Sequence, residues 1–258
     1  MRVVAISDLH IGVHAGRDGF GHAIADFEAW LGHLEDQHDQ VVLVGDIYQT
    51  DHGAMPGSRA GQLHAARRRA QGLARRFDGP GYHYVHGNHD EVAHSELGAP
   101  SSVVLEDHGM RLCFTHGHPF DPVADRAQWL ADIGTYATGS LRRAGLVGLA
   151  RWFEHRDVAI KHDRFGGAAG PYARGAATVA DREAAAVVVL GHTHAAELHS
   201  TATAVYANCG TCSDGRRECV SIDTARGTIE LWRWPMGAGN EHAPIRVAAS
   251  LVDLAGRA

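Results

Sequence analysis

A chain of 258 residues, 45% hydrophobic and 21% charged, is long enough to bury a large core as one domain over residues 1–258. Its formal net charge of −6 does not suggest nucleic acid as a bulk electrostatic partner. No run approaches the ~18 apolar residues of a membrane span, and neither a cleavage-site pattern nor a disulfide framework is visible, so a cytoplasmic protein is expected.

Val3 to Ser7 is a continuous apolar run, as in a strand covered on both faces, and it ends in Asp8-Leu9-His10. Residues two apart on an extended segment point the same way, so Asp8 and His10 present a carboxylate and an imidazole to one spot. Phe20 to Gln37 carries helical spacing through Phe20, Ile24, Phe27, Trp30, Leu31 and Leu34. Val41 to Val44 is a second buried strand, ending in Gly45-Asp46. Arg59 to Phe77 reads as one Arg-rich helix, with Arg67, Arg68 and Arg69 on a solvated face. A third strand over 82–86 opens into Gly87-Asn88-His89-Asp90. An Asn oxygen can ligate a metal, a neighbouring His can donate a proton, and an Asp can hold that His in one tautomer. Alternating strands and helices predict βαβ units, whose functional groups gather at the carboxyl ends of the strands.

From Val103 the pattern becomes a β-hairpin, 103–105 and 110–115, turning at Glu106-Asp107-His108-Gly109 and ending in His116-Gly117-His118. Helical segments interrupt residues 119–185. Val187 to Leu190 is the next buried strand and ends in Gly191-His192-Thr193-His194. Short strands follow near 197–199, 204–207 and 217–222, the last paired with Thr228–Trp234; the tail from Pro235 carries no pattern. Cys209-Gly-Thr-Cys212 has C-x-x-C spacing without a second pair or redox-motif context, which predicts a structural role. His22, His33, His38, His52, His64, His155, His162 and His199 stand outside any motif and read as surface residues.

Five apolar segments thus end in potential ligands: Asp8 with His10, Asp46, Asn88 with His89, His116, and His192 with His194. Carboxylate, amide oxygen and imidazole suit borderline divalent metals such as Mn²⁺, Fe²⁺ or Zn²⁺, and no thiolate favours a structural zinc. The ordered set Asp-x-His, Gly-Asp, Gly-Asn-His-Asp, His-Gly-His, Gly-His-Thr-His resembles the calcineurin-like metallophosphoesterase superfamily over residues 8–194. The resemblance implies a four-layer α/β/β/α sandwich of two mixed sheets flanked by helices, and a hydrolase of phosphate esters or anhydrides using two divalent metal ions. It implies that Asp8, His10 and His194 hold one metal, that Asn88, His116 and His192 hold the other, and that Asp46 bridges them. Two such cations lower the pKa of the water between them and clamp the phosphoryl oxygens for in-line attack. His89 then serves catalysis as proton donor or charge stabiliser, Asp90 orients its ring, and His118 is a candidate substrate contact.

About seventy residues separate His-Gly-His from Gly-His-Thr-His. Leu141, Leu146, Leu149, Trp152 and Phe153 share one arc of a helical wheel with Arg142 and Arg156 on the same side. A helical insertion here, about 119–185, is similar to the cap of the UDP-2,3-diacylglucosamine pyrophosphatase branch, as is Tyr206-Ala-Asn-Cys-Gly. That likeness implies a phosphorylated, lipid-like substrate or nucleotide-diphosphate sugar, bound through Arg142, Trp152 and Arg156, and peripheral membrane contact through the cap. The lipid A enzymes of the branch carry Arg where this chain has His89 and Asp where it has His118. These differences point toward general phosphoesterases, with a soluble phosphomonoester or cyclic nucleotide as alternative substrate. A scaffold of the same fold without catalysis is the third reading.

Overall fold

The structure, a computed structural model, describes residues 1–51, 58–122, 137–142, 144–201, 204–236 and 243–252. Strands β1 (Arg2–Ile6), β2 (Gln40–Val44) and β3 (Tyr82–Val85) run parallel, joined by α1 (Ile24–Gln37) and by α2 (Arg59–Arg69) with α3 (Gln71–Phe77). After α4 (Ala93–Leu97) come the hairpin β4 (Ser102–Asp107) and β5 (Met110–Thr115), then α5 (Val147–Phe165) and α6 (Pro171–Glu183). The chain closes with β6 (Val187–Leu190), β7 (Ala196–Ser200), β8 (Val205–Cys209), β9 (Arg217–Asp223), β10 (Thr228–Trp234) and β11 (Ile245–Leu251).

These strands form a six-stranded sheet, β11-β10-β9-β1-β2-β3, and a five-stranded sheet, β4-β5-β6-β8-β7, both of mixed direction. Alternation along each strand assigns the layers. Val3, Ala5, Val42 and Val44 face Leu112, Phe114, Val187 and Val189 between the sheets. Val4, Ile6, Val41 and Leu43 face outward onto Phe27, Trp30, Leu31, Leu63 and Leu73 of the first helical layer. Cys113, Val188, Leu190 and Tyr206 face Tyr172, Ala173, Ala176 and Val179 of α6. The four-layer sandwich is therefore as expected, and each continuous apolar run is a strand buried on both faces.

Local boundaries differ where the environment overrides periodicity. The N-cap of α1 is Ala23, in extended conformation, so Phe20 lies ahead of the helix, its ring 5.1 Å from Phe27. The Arg-rich helix breaks at Ala70 into α2 and α3. Its arginines are not a uniformly solvated face: Arg67 pairs with Asp78 at 2.6 Å and Arg69 pairs with buried Asp18, while Arg68 is exposed. The unpatterned tail supplies β11 at the sheet edge. His22 and His38, read as surface residues, are built in: His22 Nε2 lies 2.9 Å from the Cys212 carbonyl, and His38 bonds Leu34 O and Ser221 Oγ.

The insertion divides. α6 is the outer layer of the second sheet. Residues 123–136 lie outside the described residues. Leu141 and Arg142 belong to a separate helical segment, not to the stripe on α5. Arg142 is only 2% exposed and fully engaged, with Glu154 on both carboxylate oxygens, the Asp18 carbonyl at 2.6 Å and Asp214 at 3.7 Å. This corrects its reading as a substrate contact. Leu149, Trp152 and Phe153 of α5 are 45–53% exposed, and Arg156 lies over the Trp152 ring at 5.5 Å.

Because Trp152 stands in solvent, Trp152→Ala should change stability by no more than ~1 kcal/mol, the worth of an exposed cation–π pair. Trp30→Ala, at the centre of the first core, should cost about 3–5 kcal/mol. Thermal melts of the two variants check this; equal losses would place Trp152 in a core.

Candidate dinuclear metal centre

All seven ligand candidates sit just beyond strand ends. Asp8, His10, Asp46, His192 and His194 have φ between 51 and 73°, the left-handed region that non-glycine residues rarely enter. Such strain, of order 1 kcal/mol or more per residue, persists where surrounding structure enforces it, and it gathers at functional sites. Close approach is built in as well. A Cβ on Gly45 would overlap the His116 ring, and one on Gly87 would overlap the Asp46 carboxylate.

Three groups come together: Asp8, His10 and His194; His10, Asp46 and His89; Asp46, His116 and His192. His194 Nε2 lies 3.1 Å from Asp8 Oδ1 and 3.2 Å from His10 Nε2, and His116 Nε2 lies 3.1 Å from Asp46 Oδ2. Asp46 therefore belongs to clusters on both sides. Asn88 Oδ1 is buried without a hydrogen-bond partner, while Asp8 Oδ1 and His116 Nε2 meet only His194 and Asp46, themselves ligand candidates. Buried acceptors left without donors are costly, and a pair of divalent cations fits them.

The imidazoles are held from behind. His10 Nδ1 donates to Gln49 Oε1 at 2.7 Å and His116 Nδ1 to the Val44 carbonyl at 2.8 Å, which leaves Nε2 of each for a ligand. His192 is reversed: its Nε2 lies 2.9 Å from buried Asp121 Oδ2. Burial and the His89 charge pull His10 down to about 4. Burial also pulls on His116, but Asp46 outweighs it and holds that ring up at about 9. Burial raises the two carboxyls, yet His194 brings Asp8 down to about 2, and His116 and His89 hold Asp46 well below its usual range.

Asp90 does not orient His89, which corrects the expectation. Its carboxylate accepts from the backbone N–H groups of Gly87 (2.6 Å), Asp46 (3.2 Å), Ile47 (2.7 Å) and Tyr48 (3.1 Å), and from Tyr84 Oη (2.5 Å). The His89 ring is held by Asp51, with Oδ2 at 2.7 Å from Nδ1, and Gln49 Nε2 donates to the same carboxylate. Burial disfavours the His89 charge, but Asp51 and Asp46 raise it to about 10. The Nε2 edge of His89 faces Asp46 at 3.9 Å. His118 stands beside the second cluster, 5.6 Å from the His116 ring and 6.4 Å from His192; burial and those rings push it down to about 3. Arg156 rests on α5 against Trp152 and not among the ligands. Gln49, Asp51 and Asp121 were missed in the sequence. Gln49 and Asp51 are two apart, the spacing that paired Asp8 with His10, and this was their only signal.

Comparison with known proteins decides the class. The family described as calcineurin-like phosphoesterase matches residues 1–196, about three-quarters of the chain. The chain belongs to the calcineurin-like phosphoesterases. Members of this family are metal-dependent hydrolases of phosphoesters, so divalent metal ions are the cofactors of this phosphoesterase. No curated protein matches it. Among solved structures it resembles Vps29 from Chaetomium thermophilum, with 13% identity, TM-score 0.51, and coverage of 97% of this chain and 98% of that one. It is also similar to the phosphoesterase Yfce from E. coli (16% identity, TM-score 0.48, coverage 98% and 100%) and to an archaeal phosphodiesterase (13%, 0.46, 91% and 100%). At these identities the Vps29 likeness speaks for the fold alone. No described helix is long and apolar enough to cross a membrane.

Asp90→Ala should leave several buried N–H groups without an acceptor, lowering stability by at least about 3 kcal/mol, or roughly 6 °C in Tm. Asp51→Asn should leave Tm nearly unchanged. Comparable melts for the two variants would refute the division of labour between these carboxylates.

Proposed function

We propose that this phosphoesterase hydrolyses a phosphoester or phosphoanhydride at a dinuclear centre, on a substrate carrying an apolar group beside the phosphate. Support comes first from the three groups of possible ligands, Asp8 with His10 and His194, His10 with Asp46 and His89, and Asp46 with His116 and His192, and from the buried Asn88 Oδ1, which has no hydrogen-bond partner. In this reading Asp8, His10 and His194 hold one cation, Asn88, His116 and His192 the other, and Asp46 serves both. The oxygen and imidazole donor set suits Mn²⁺ best, then Fe²⁺ or Zn²⁺. The bound cations supply Lewis acidity toward phosphoryl oxygens and an activated water.

The chain's own residues do the remainder. Gln49, the Val44 carbonyl and Asp121 fix the tautomers of His10, His116 and His192. His89, kept protonated by Asp51, holds a proton at Nε2 toward the centre and donates it to the leaving oxygen. Asp90 acts through the backbone, keeping Asp46 and Asn88 in register.

The apolar group is assigned to α5. Arg142 ties the insertion to the Asp18 carbonyl, and Arg151 ties α5 to Asp214 at 2.7 Å, in loops flanking His10 and the end of β8. Leu149, Trp152 and Phe153 are left uncovered beside them. A nucleotide-diphosphate sugar bearing acyl chains, the substrate class of the UDP-2,3-diacylglucosamine pyrophosphatase branch, meets this description, and α5 would then also meet the cytoplasmic membrane surface. His89 and His118, where that branch has Arg and Asp, favour a soluble phosphomonoester or cyclic nucleotide as the second reading.

With Mn²⁺ the protein should hydrolyse p-nitrophenyl phosphate or its diester, and chelation should abolish turnover. Asp46→Asn should lower metal content and activity together; full metal occupancy with normal turnover would sink the assignment. His89→Ala should retain both metals and lose ~10²–10⁴ in rate, whereas loss of metal would make His89 a ligand. Trp152→Ala should raise KM several-fold for an acylated diphosphate substrate and leave aryl phosphates unchanged. Equal KM values for both enzymes on both substrates would favour the soluble reading.

A further inference from the structure

An open surface groove of about 320 Å³ lies near the centre, lined by Arg59, His86, Glu91, Val92, His94 and Ser95, of which Glu91, His94 and Ser95 are exposed. One side chain separates it from the ligand candidates. The His86 ring lies 6.4 Å from His118, whose ring is 5.6 Å from His116; on its other side His86 lies 5.6 Å from His94. A single stretch, residues 86–95, thus carries His89 into the centre and His86, Glu91, His94 and Ser95 into the groove wall.

The lining has a definite chemistry. His94 Nδ1 donates to the Ala99 carbonyl at 3.0 Å and His86 Nδ1 to the Gly87 carbonyl at 3.3 Å, leaving Nε2 as the other nitrogen of each ring. Ser95 Oγ donates to the Val92 carbonyl at 3.1 Å, so its lone pairs still accept. Arg59 supplies a guanidinium, more than half exposed and 3.8 Å from the Glu91 carboxylate. An acyl chain here would strip water from all these groups without replacing it. A bare phosphate would meet the like charge of Glu91. A ring bearing several hydroxyls suits both, because each hydroxyl donates to one partner and accepts from another while its C–H surface covers Val92.

We infer that this groove receives a sugar of the substrate, on the His116 side of the centre and away from the anchorage of α5 behind His10. The inference rests on the phosphoesterase reading above and deepens it: the phosphate at the centre carries a hydroxyl-rich group on one side.

Calorimetric titration of the Mn²⁺-loaded protein with inorganic phosphate and with the phosphonate analogue of ribose 5-phosphate, which the centre cannot cleave, separates the two. The wild type should bind the sugar phosphonate more tightly than phosphate. Arg59→Ala and His94→Ala should each weaken binding of the sugar phosphonate by about tenfold, the worth of one or two hydrogen bonds, and leave phosphate affinity and Tm unchanged. Phosphate binding with no preference for the sugar phosphonate, or a preference that survives both substitutions, overturns this inference alone. Parallel weakening of both ligands in the variants overturns it too, since it would assign these residues to the centre. Failure of phosphate itself to bind the wild type overturns the phosphoesterase reading and this inference with it.

Discussion

One buried carboxylate holds the loops of the site in place. Asp90 accepts four backbone N–H groups and the Tyr84 hydroxyl, joining residues 46–48 after β2 to Gly87 after β3. Each of those N–H groups lies where the strand ladder has ended, so a buried loop would otherwise leave them unpaired. Burial and the neighbouring Asp46 push the Asp90 carboxyl above its usual range, and the donors work against that shift. With this junction in place, the His89 amide reaches Asp46 Oδ1 at 2.9 Å, and the Asp46 side chain stands between both ligand clusters. Orientation of Asp46, Asn88 and His89 therefore descends from one residue that touches none of the metal positions.

The same logic extends across the two sheets. Asp8 Oδ2 accepts the His192 amide at 3.0 Å, so the first strand of one sheet fixes the loop after β6 of the other. Thr211 Oγ1 donates to the Asp8 carbonyl, and the Cys212 amide donates to the Ser7 carbonyl. The C-x-x-C segment is thereby a structural wall. Its thiols are free and buried, and burial pushes both up, which leaves them inert at neutral pH. Left-handed backbone at five of the candidate ligand positions is tolerated because these cross-strand bonds hold the loops in place.

Around this rigid centre the surroundings differ in polarity. On the His10 side, Arg142, Glu154, Arg151 and Asp214 form an ion-pair network that pins α5 by its polar residues and leaves Leu149, Trp152 and Phe153 in solvent. On the His116 side, His118, His86 and His94 form a row of imidazoles leading to an open groove that mixes charged, polar and apolar groups. In the proposed reading a phosphate between them would have the exposed apolar side chains of α5 on one side and the imidazole, guanidinium and carboxylate groups of the groove on the other. It is on this asymmetry that the proposed reading, a substrate substituted on both sides of the phosphate, rests.

The strands ahead of Pro235 were legible in the sequence, because continuous apolar runs such as Val41–Val44 demand burial on both faces; the four-layer order came only with the family resemblance, and β11 was not read at all. The seven ligand candidates follow from local motifs at the ends of those runs. What the sequence could not decide was which polar group answers which. Asp90 is adjacent to His89, yet bonds backbone, while Asp51, far along the chain, bonds the His89 ring. Arg142 shared a helical arc with Trp152 on paper, but a break in the helix sends it inward to Glu154 and Asp18. Pairings of this kind depend on side-chain directions at loop termini and on contacts between segments remote in sequence. No periodicity encodes these; only the packed tertiary structure decides them.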